Sequence, residues 1–444
     1  MIDVTMPHVM DDLRNKRVTV AGLGRFGGGI AVAKWLCEQG ANVLVTDRDP
    51  ADKLEASVRQ LDGCKIQFVL GEHRESDFTN TDFVVTSPAI PPGNPYLTAA
   101  KNANVPVTTE IRLFVERCPS KIVGVTATKG KSTTTALLGM MLRKRFTTWV
   151  GGNIGGSLLF DLPKMTTDDF VVLELSSYML EYLREIRFAP HIALVGMISQ
   201  DHLEWHGGAS QYVEAKKNLV RFQEPGDYAV LNAENETTLS FAHVTRARIC
   251  TYTLSSQPPF RMRLAGIHNQ LNAQGAFAAA GILGVTWDEA QDAMRDFGGL
   301  PHRLEIVHEA DGVRYVNDSI ATIPEAAVAA LDSFDSGHVI QIVGGYNKKL
   351  DMSGLCQALA SRAKAVLCVG ELGRTLFENV RSVANLPTKV ENCGDLEIAM
   401  MRAKQLASAG DVVLLSTGCA SYDQFPNFEK RGEAFTKLAR DMGK

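Results

Sequence analysis

Ten consecutive residues, GVTATKGKST (124–133), bring together what the handling of a nucleotide phosphate requires. They follow the apolar run KIVGVT and precede TTTALLGMMLRK, so a strand should feed the segment and a helix should receive it. Gly130, Lys131 and Ser132 form the GK[ST] ending of a phosphate-binding loop. Backbone N–H groups and the Lys131 ammonium would hold phosphate oxygens there, and Ser132 would help to hold Mg²⁺. The spacing from Gly124 to Gly130 is one residue longer than in the usual GxxxxGK[ST]. A glycine-rich helix start without a ligand is the competing reading.

Other residues suit a hard cation. Glu174 closes the apolar run in VVLELSS, where a lone buried carboxylate is costly unless it meets a cation or a donor. His202 lies in SQDHLEWHGG, just after another apolar run. Both stand at the carboxyl ends of strands, where α/β sheets place their sites. Trp205 and His206 read as loop packing, and Lys216 and Lys217, in YVEAKKNLV, read by themselves as a solvated helix face. Nearer the N-terminus, Gly22-Leu23-Gly24-Arg25-Phe26-Gly27 follows a strand-like run and opens a helix, and Asp47 ends the next strand. Such glycines let backbone N–H groups approach a pyrophosphate. A nicotinamide dinucleotide, another nucleotide and simple tight packing all remain open at this point.

The elements that must position these groups alternate along the chain. RVTVAGLG, NVLVTD, DFVVTSPA, KIVGVTA, FVVLELSS, IALVGMIS, HVIQIVGG, AVLCVG and DVVLLSTG are Val/Ile/Leu runs bounded by glycine and polar turns. Continuous runs of this kind suit strands buried on both faces of a parallel sheet, with crossover helices between them. At 444 residues the chain has room for about three domains. Breaks fall near 105, after SPAIPPGNP and its helix, and near 300, at GGLPHR. The expectation is an α/β protein with segments 1–105, 106–300 and 301–444.

Composition narrows the class. Hydrophobic residues make up 45%, charged residues 22%, and the net charge is −4, so no basic excess points to nucleic acid. The start, MIDVTMPHVMDDLRNKR, carries acids and no apolar core of a signal peptide. No apolar run approaches the roughly 18–20 residues of a membrane span. The eight cysteines are scattered without a CxxC and read as reduced thiols of a cytoplasmic protein.

The motifs, taken in order, resemble those of the Mur ligase family of peptidoglycan synthesis. The stretches that carry the resemblance are GVTATKGKST, GGNIGGSLL (151–159), ELSSYMLE (174–181), SQDHLEWHG (199–207) and GIHNQLNAQGA (266–276). GLPHRLE (299–305), NDSIAT (317–322), GGYNKKLD (344–351) and LLSTGCASYDQFPNFEKRGEAF (414–435) continue it. The resemblance implies a Rossmann-like N-terminal domain for the UDP end of a substrate and a central ATPase-like domain of P-loop type. A Rossmann-like C-terminal domain would take the incoming amino acid. It accounts for the extra residue in the phosphate loop and assigns the glycine turn to a uridine nucleotide. The implied reaction is ATP-dependent addition of glutamate to UDP-N-acetylmuramoyl-L-alanine through an acyl phosphate, by a cytoplasmic enzyme acting as a monomer.

By the same resemblance, Lys131, Glu174, His202 and Lys216 are catalytic, and Lys216 matches a lysine that becomes a carbamate. Two Mg²⁺ sites are implied: Ser132 and Glu174 serve one, His202 and the Lys216 carbamate the other. Thr128, Lys129, Gly130, Lys131, Ser132, Thr133, Asn269, Asn272, Arg303 and Asp318 match positions associated with ATP. Arg25, Phe26, Asp47 and Arg48 are positional candidates for UDP contacts, with Asn153 and Ser176 near the phosphates and the muramoyl-alanine arm. Thr322, Lys348, Ser421, Tyr422 and Phe428 match the amino-acid pocket, while Cys419 reads as a structural neighbour. The chain departs from the family pattern at several positions. Ile320 replaces the lysine of NDSKAT, Met179 a glutamine, Ala127 and Lys129 a glycine and an asparagine, and Asn347 and Lys349 an aspartate and a glycine. Variation thus gathers at acceptor recognition, with D-glutamate expected and L-glutamate the competitor.

Overall fold

The computed structural model describes residues 12–23, 28–262, 264, 266–295, 297, 299–348, 350–383 and 388–442. Three sheets organise the chain into three α/β domains. The first holds β1 (Arg17–Ala21), β2 (Asn42–Asp47), β3 (Ile66–Leu70), β4 (Phe83–Thr86) and β5 (Val107–Thr108). All are parallel, in the order β3-β2-β1-β4-β5. The order reverses between β1 and β4, and the crevice beyond their carboxyl ends is where doubly wound sheets bind ligands. The break drawn near 105 falls one strand short, because β5 pairs with β4.

The second sheet holds β6 (Lys121–Thr126), β7 (Thr148–Gly152), β8 (Phe170–Glu174), β9 (Ile192–Val195), β10 (Tyr228–Asn232) and β11 (Arg248–Tyr252). It too is wholly parallel, in the order β11-β10-β9-β6-β8-β7. The central strand β6 lies between β8 and β9, so the loops leaving these three strands open side by side. β8 and β9 are buried along their whole length, as their unbroken apolar runs require.

The third sheet holds β12 (Glu305–Ala310), β13 (Val313–Asn317), β14 (Val339–Gly344), β15 (Ala365–Val369), β16 (Lys389–Gly394) and β17 (Val412–Leu415). Its order is β12-β13-β17-β14-β15-β16. Here a purely parallel reading fails, because β12 and β13 form an antiparallel hairpin at one edge. The turn is Asp311-Gly312, with φ of +51° and +74°. Both angles suit the tight two-residue hairpin turn that Asp-Gly favours. The sheet is covered on both faces. Val316, Leu355 and Leu414 belong to one buried cluster, and Tyr315, Ile340 and Phe435 to the other.

Residues 1–257 and 274–287 form one compact unit, and residues 258–273 and 288–444 form another. All eight cysteines are free thiols. Among the described residues no helix is long and apolar enough to cross a membrane.

Candidate active site

The phosphate loop leaves β6 and enters the helix Lys131–Leu142 at Gly130, whose φ of +82° lies in the left-handed region that favours glycine. Lys131 folds back over the loop, and its Nζ donates to the Ala127 carbonyl at 2.9 Å and the Thr128 carbonyl at 3.0 Å. Thr128 is held from its side chain. Its hydroxyl donates to the Ser199 carbonyl, accepts from the Ser199 N–H, and lies 2.9 Å from the Tyr212 hydroxyl. Lys129 is exposed, Ser132 half-buried and Thr133 buried.

Lys216 is the opposite of a solvated lysine. On the helix Ala209–Arg221 it is only 1% exposed, whereas Lys217 pairs with Glu214 at the surface. Its Nζ donates to Thr126 Oγ1 at 3.2 Å and to the Ala127 carbonyl at 2.9 Å, and sits 4.9 Å from the Tyr212 ring centroid. Burial holds its ammonium well below the ordinary lysine range. The Lys131 charge pushes the same way, against Asp201 and Glu174. Tyr212, one helical turn earlier, went unread in the sequence, yet it braces both Thr128 and Lys216.

Glu174 ends β8 and is 1% exposed. Asn153 donates to its Oε1 at 3.0 Å, while Oε2 is buried with no hydrogen-bond partner among the described residues. The Asn153 N–H also donates to the Glu174 carbonyl, at 2.9 Å. This close approach needs Gly152: φ is +94°, and a Cβ there would lie 2.3 Å from the Glu174 carbonyl oxygen. An unmatched carboxylate oxygen at the end of a buried strand fits a cation ligand. Among the described residues no three His, Cys, Asp or Glu side chains gather as a ready-made metal cage.

His202 begins the one-turn helix Leu203–His206 with φ of +50°. Its Nε2 lies 3.5 Å from Asp201 Oδ2. Burial lowers its pKa, and Lys131 and Lys216 add to this against Asp201, which favours the neutral imidazole. Trp205 and His206 do pack the loop: the Trp205 indole donates to the Ala89 carbonyl at 2.8 Å, and His206 Nε2 lies 2.9 Å from Ser177 Oγ.

A cleft of about 530 Å³ opens at the carboxyl ends of β1 and β4. Gly22, Leu23 and Ser87 line it, and so do Asn153, Ser176 and Tyr178. Ser176 also caps the helix Ser177–Leu183, accepting from the Met179 N–H. Glu110, which the sequence reading did not single out, lies in the same cleft and accepts from Ser157 Oγ, with its carboxyl pKa raised by burial. At the end of β2, Asp47 Oδ1 accepts from the Asp49 N–H, and the Arg48 guanidinium lies 5.9 Å from the Tyr96 ring centroid. Arg25 and Phe26 lie outside the described residues, as does Lys349.

The remaining candidates belong to the second unit. Asn269 and Asn272 lie one helical turn apart, their side chains 3.3 Å from each other. Asp318 is buried, accepts from the Leu304 N–H and from Ser416 Oγ, and has its pKa raised to about 7 by burial, against the nearby Arg303 and Arg431 charges. Thr322 and Ile320 are half-buried, Ser421 is buried, and Lys348 and Tyr422 are exposed. Phe428 opens the helix Phe428–Asp441, and its carbonyl accepts from Ser319 Oγ. Arg431 ties these segments together. It is 3% exposed, and its guanidinium donates to Ser319 Oγ, the Ser319 carbonyl and the Cys419 carbonyl. Its signal in the sequence was a cation on the inward stripe Phe428, Arg431, Phe435, Ala439.

Three α/β domains, with a phosphate loop leaving the central strand of the middle sheet, define a nucleotide-using α/β enzyme. The chain belongs to the Mur ligase family. Residues 16–109 match the Mur ligase MurD-like N-terminal domain, 125–259 the Mur ligase middle domain, and 302–419 the Mur ligase glutamate ligase domain. It is 41% identical to the UDP-N-acetylmuramoylalanine–D-glutamate ligase of Roseiflexus sp. (strain RS-1), over 97% of this chain and 99% of that one. The enzyme of the same description from Anaeromyxobacter dehalogenans (strain 2CP-C) is 37% identical, over 98% and 99%. In fold, the chain is similar to UDP-N-acetylmuramate-alanine ligase from Thermotoga maritima, with a TM-score of 0.60 at 20% identity over 96% of this chain and 100% of that one. MurF ligase from Thermotoga maritima, solved in complex with ADP, gives 0.58 at 16% identity over 97% of each.

Proposed function

We propose that the chain is a cytoplasmic ligase that adds D-glutamate to UDP-N-acetylmuramoyl-L-alanine, using ATP to activate the substrate carboxylate as an acyl phosphate. The observation that carries the chemistry is the meeting of Lys131 and Lys216 on the Ala127 carbonyl, beside a strand-end Glu174 whose Oε2 has no partner among the described residues. The choice of substrates rests on the full-length relatives.

A carboxylate is a poor acyl donor, because its leaving group would be oxide. Transfer of the γ-phosphoryl group to it creates a leaving group that departs as phosphate. The loop N–H groups at Gly130 and the Lys131 ammonium hold the phosphoryl oxygens while charge shifts among them. Mg²⁺ held by Ser132 and Glu174, and by His202 with a Lys216 carbamate, would neutralise the negative charge crowded at the transfer. Asn153 fixes the Glu174 carboxylate, and Tyr212 fixes Lys216. The Lys216 amine, pushed toward its neutral form by burial, would supply the lone pair that attacks CO₂; the N–C bond forms and a proton leaves to solvent. The amine of the amino acid then attacks the acyl carbon, and the tetrahedral intermediate expels phosphate.

The cleft at the carboxyl ends of β1 and β4, lined in part by Asn153 and Ser176, would take the UDP substrate, with Asp47 and Arg48 as further candidates for its contacts. Thr128 to Thr133, with Asn269, Asn272, Arg303 and Asp318, serve ATP. Thr322, Lys348, Ser421, Tyr422 and Phe428 serve the amino acid. A second reading, L-glutamate as acceptor, draws on Ile320, which stands where the family carries a lysine. Purified protein with ATP, Mg²⁺, UDP-N-acetylmuramoyl-L-alanine and each glutamate enantiomer tests both. Phosphate release with the D-enantiomer is expected, and release with neither overturns the ligase reading.

A further inference from the structure

Trp205 does more than pack its loop. Its indole N–H donates to the Ala89 carbonyl, and Ala89 with Ser87 and Pro88 forms a wall of the cleft at the end of β4. Its ring lies 4.6 Å from that of Tyr178, which lines the same cleft, and the Tyr178 ring lies 4.8 Å from that of His202. His202 and Trp205 share a single helical turn, Leu203–His206, entered through a left-handed residue. One turn has little stiffness of its own, so its orientation depends on side-chain anchors. Those anchors are Trp205 to Ala89, His206 to Ser177 Oγ, and the Tyr178 ring packed against His202, Trp205 and His206. The first reaches the wall of the cleft directly.

We infer that Trp205 is a positioning residue that couples occupancy of the UDP-substrate cleft to the orientation of His202 toward its cation. The inference rests on the ligase reading above. A substrate seated against Ser87–Ala89 restrains the Ala89 carbonyl; the indole N–H passes that restraint to the one-turn helix, and His202 turns with it. Coupling of this kind is reciprocal, so substrate tightens the cation and the cation tightens the substrate by the same factor.

Mn²⁺ is titrated into the full-length protein with and without saturating UDP-N-acetylmuramoyl-L-alanine, and free Mn²⁺ is counted by electron paramagnetic resonance. Substrate should tighten Mn²⁺ about fivefold or more in the wild type. In Trp205→Phe, which keeps the ring against Tyr178 but loses the N–H, the factor should fall to about one. Trp205→His retains a ring N–H donor and should recover part of it, an outcome that general loosening of the loop does not give. Undiminished coupling in Trp205→Phe, or no coupling in a wild type that binds both ligands, overturns the inference and leaves the ligase reading standing. A wild type that binds neither ligand overturns both.

Discussion

Lys131 and Lys216 donate to one acceptor, the Ala127 carbonyl oxygen, each at 2.9 Å. Two ammonium groups on one carbonyl repel, and the more buried of them is the one that yields its proton. Lys216 is 1% exposed and Lys131 half-buried, so burial pushes the Lys216 ammonium toward its neutral form, and the Lys131 charge pushes the same way.

Exchange of Lys216 for methionine should lower kcat by at least about a hundredfold, the scale on which a preorganised charge-stabilising group acts. It should not lower the melting temperature at neutral pH, because a costly buried amine is removed. The pH dependence has a definite sign. Burial lowers the folded pKa of Lys216, so the folded chain sheds that proton at lower pH than the unfolded chain does, and wild-type stability rises with pH up to the ordinary lysine pKa. Thermal melts between neutral pH and about pH 10 should show that rise in the wild type and a weaker one in Lys216→Met. Parallel curves would remove the argument for a neutral Lys216.

Asn153 touches the proposed cation only through Glu174, donating to Oε1 and leaving Oε2 unpartnered. Groups that orient a ligand carboxylate typically contribute 10–100-fold, roughly, to metal affinity or activity. Asn153→Ala should therefore raise the Mg²⁺ concentration for half-maximal activity by about that factor. Glu174→Gln should abolish the response altogether. A Mg²⁺ dependence unchanged in Asn153→Ala would mean that Glu174 is oriented by something else.

Much of this site was legible in the chain, for physical reasons particular to each residue. The phosphate loop is a local device, made of neighbours in sequence, and Glu174 stands out as a charge ending an apolar strand. Lys216 is legible as well, although its neighbour Lys217 gives the pair the look of a solvated surface. Tyr212, Ala215, Lys216, Leu219 and Val220 are all buried, and they make the i, i+3, i+4, i+7, i+8 stripe of an inward helix face. Adjacent lysines hide the phase of that stripe until the apolar residues around them are counted. The contact of Thr128 with Tyr212 joins residues 84 apart and depends on the order β9-β6-β8, which no local pattern encodes. The β12–β13 hairpin carries its Asp-Gly signal locally, but the apolar runs that pack beside it are those of a parallel sheet.

Asp318 gives a pH effect of opposite sign. Its folded pKa is raised to about 7, above the unfolded value of 3.8, so between these values the folded chain holds a proton that the unfolded chain lacks. Stability from this group is present below the unfolded value and is lost as pH rises through about 7. Asp318→Asn keeps the shape of the side chain and removes the titration. Urea midpoints at pH 5 and pH 8, chosen to fall on either side of roughly pH 7, should differ less in the variant than in the wild type. An equal difference would mean that the carboxylate is ionised throughout.

Ile320 is where acceptor recognition should respond most to a single change. Its N–H donates to the His302 carbonyl, and the peptide before it is held by the Arg431 guanidinium through the Ser319 carbonyl, so the backbone there is firmly placed. The side chain is half-buried, which leaves a longer cationic chain a route to water. Ile320→Lys restores the residue type found in the NDSKAT pattern on a backbone that need not move. A charge-assisted hydrogen bond to a substrate carboxylate contributes roughly 1.5–3 kcal/mol, so KM for glutamate should fall by about tenfold or more. KM for ATP should stay put, since Asp318 is anchored separately by Ser416 and Leu304. Steady-state kinetics with each enantiomer at fixed UDP-N-acetylmuramoyl-L-alanine measure both constants. An unchanged or higher KM for glutamate would show that the wild-type pocket already meets that carboxylate with another cation, Lys348 being the candidate that the family pattern supplies.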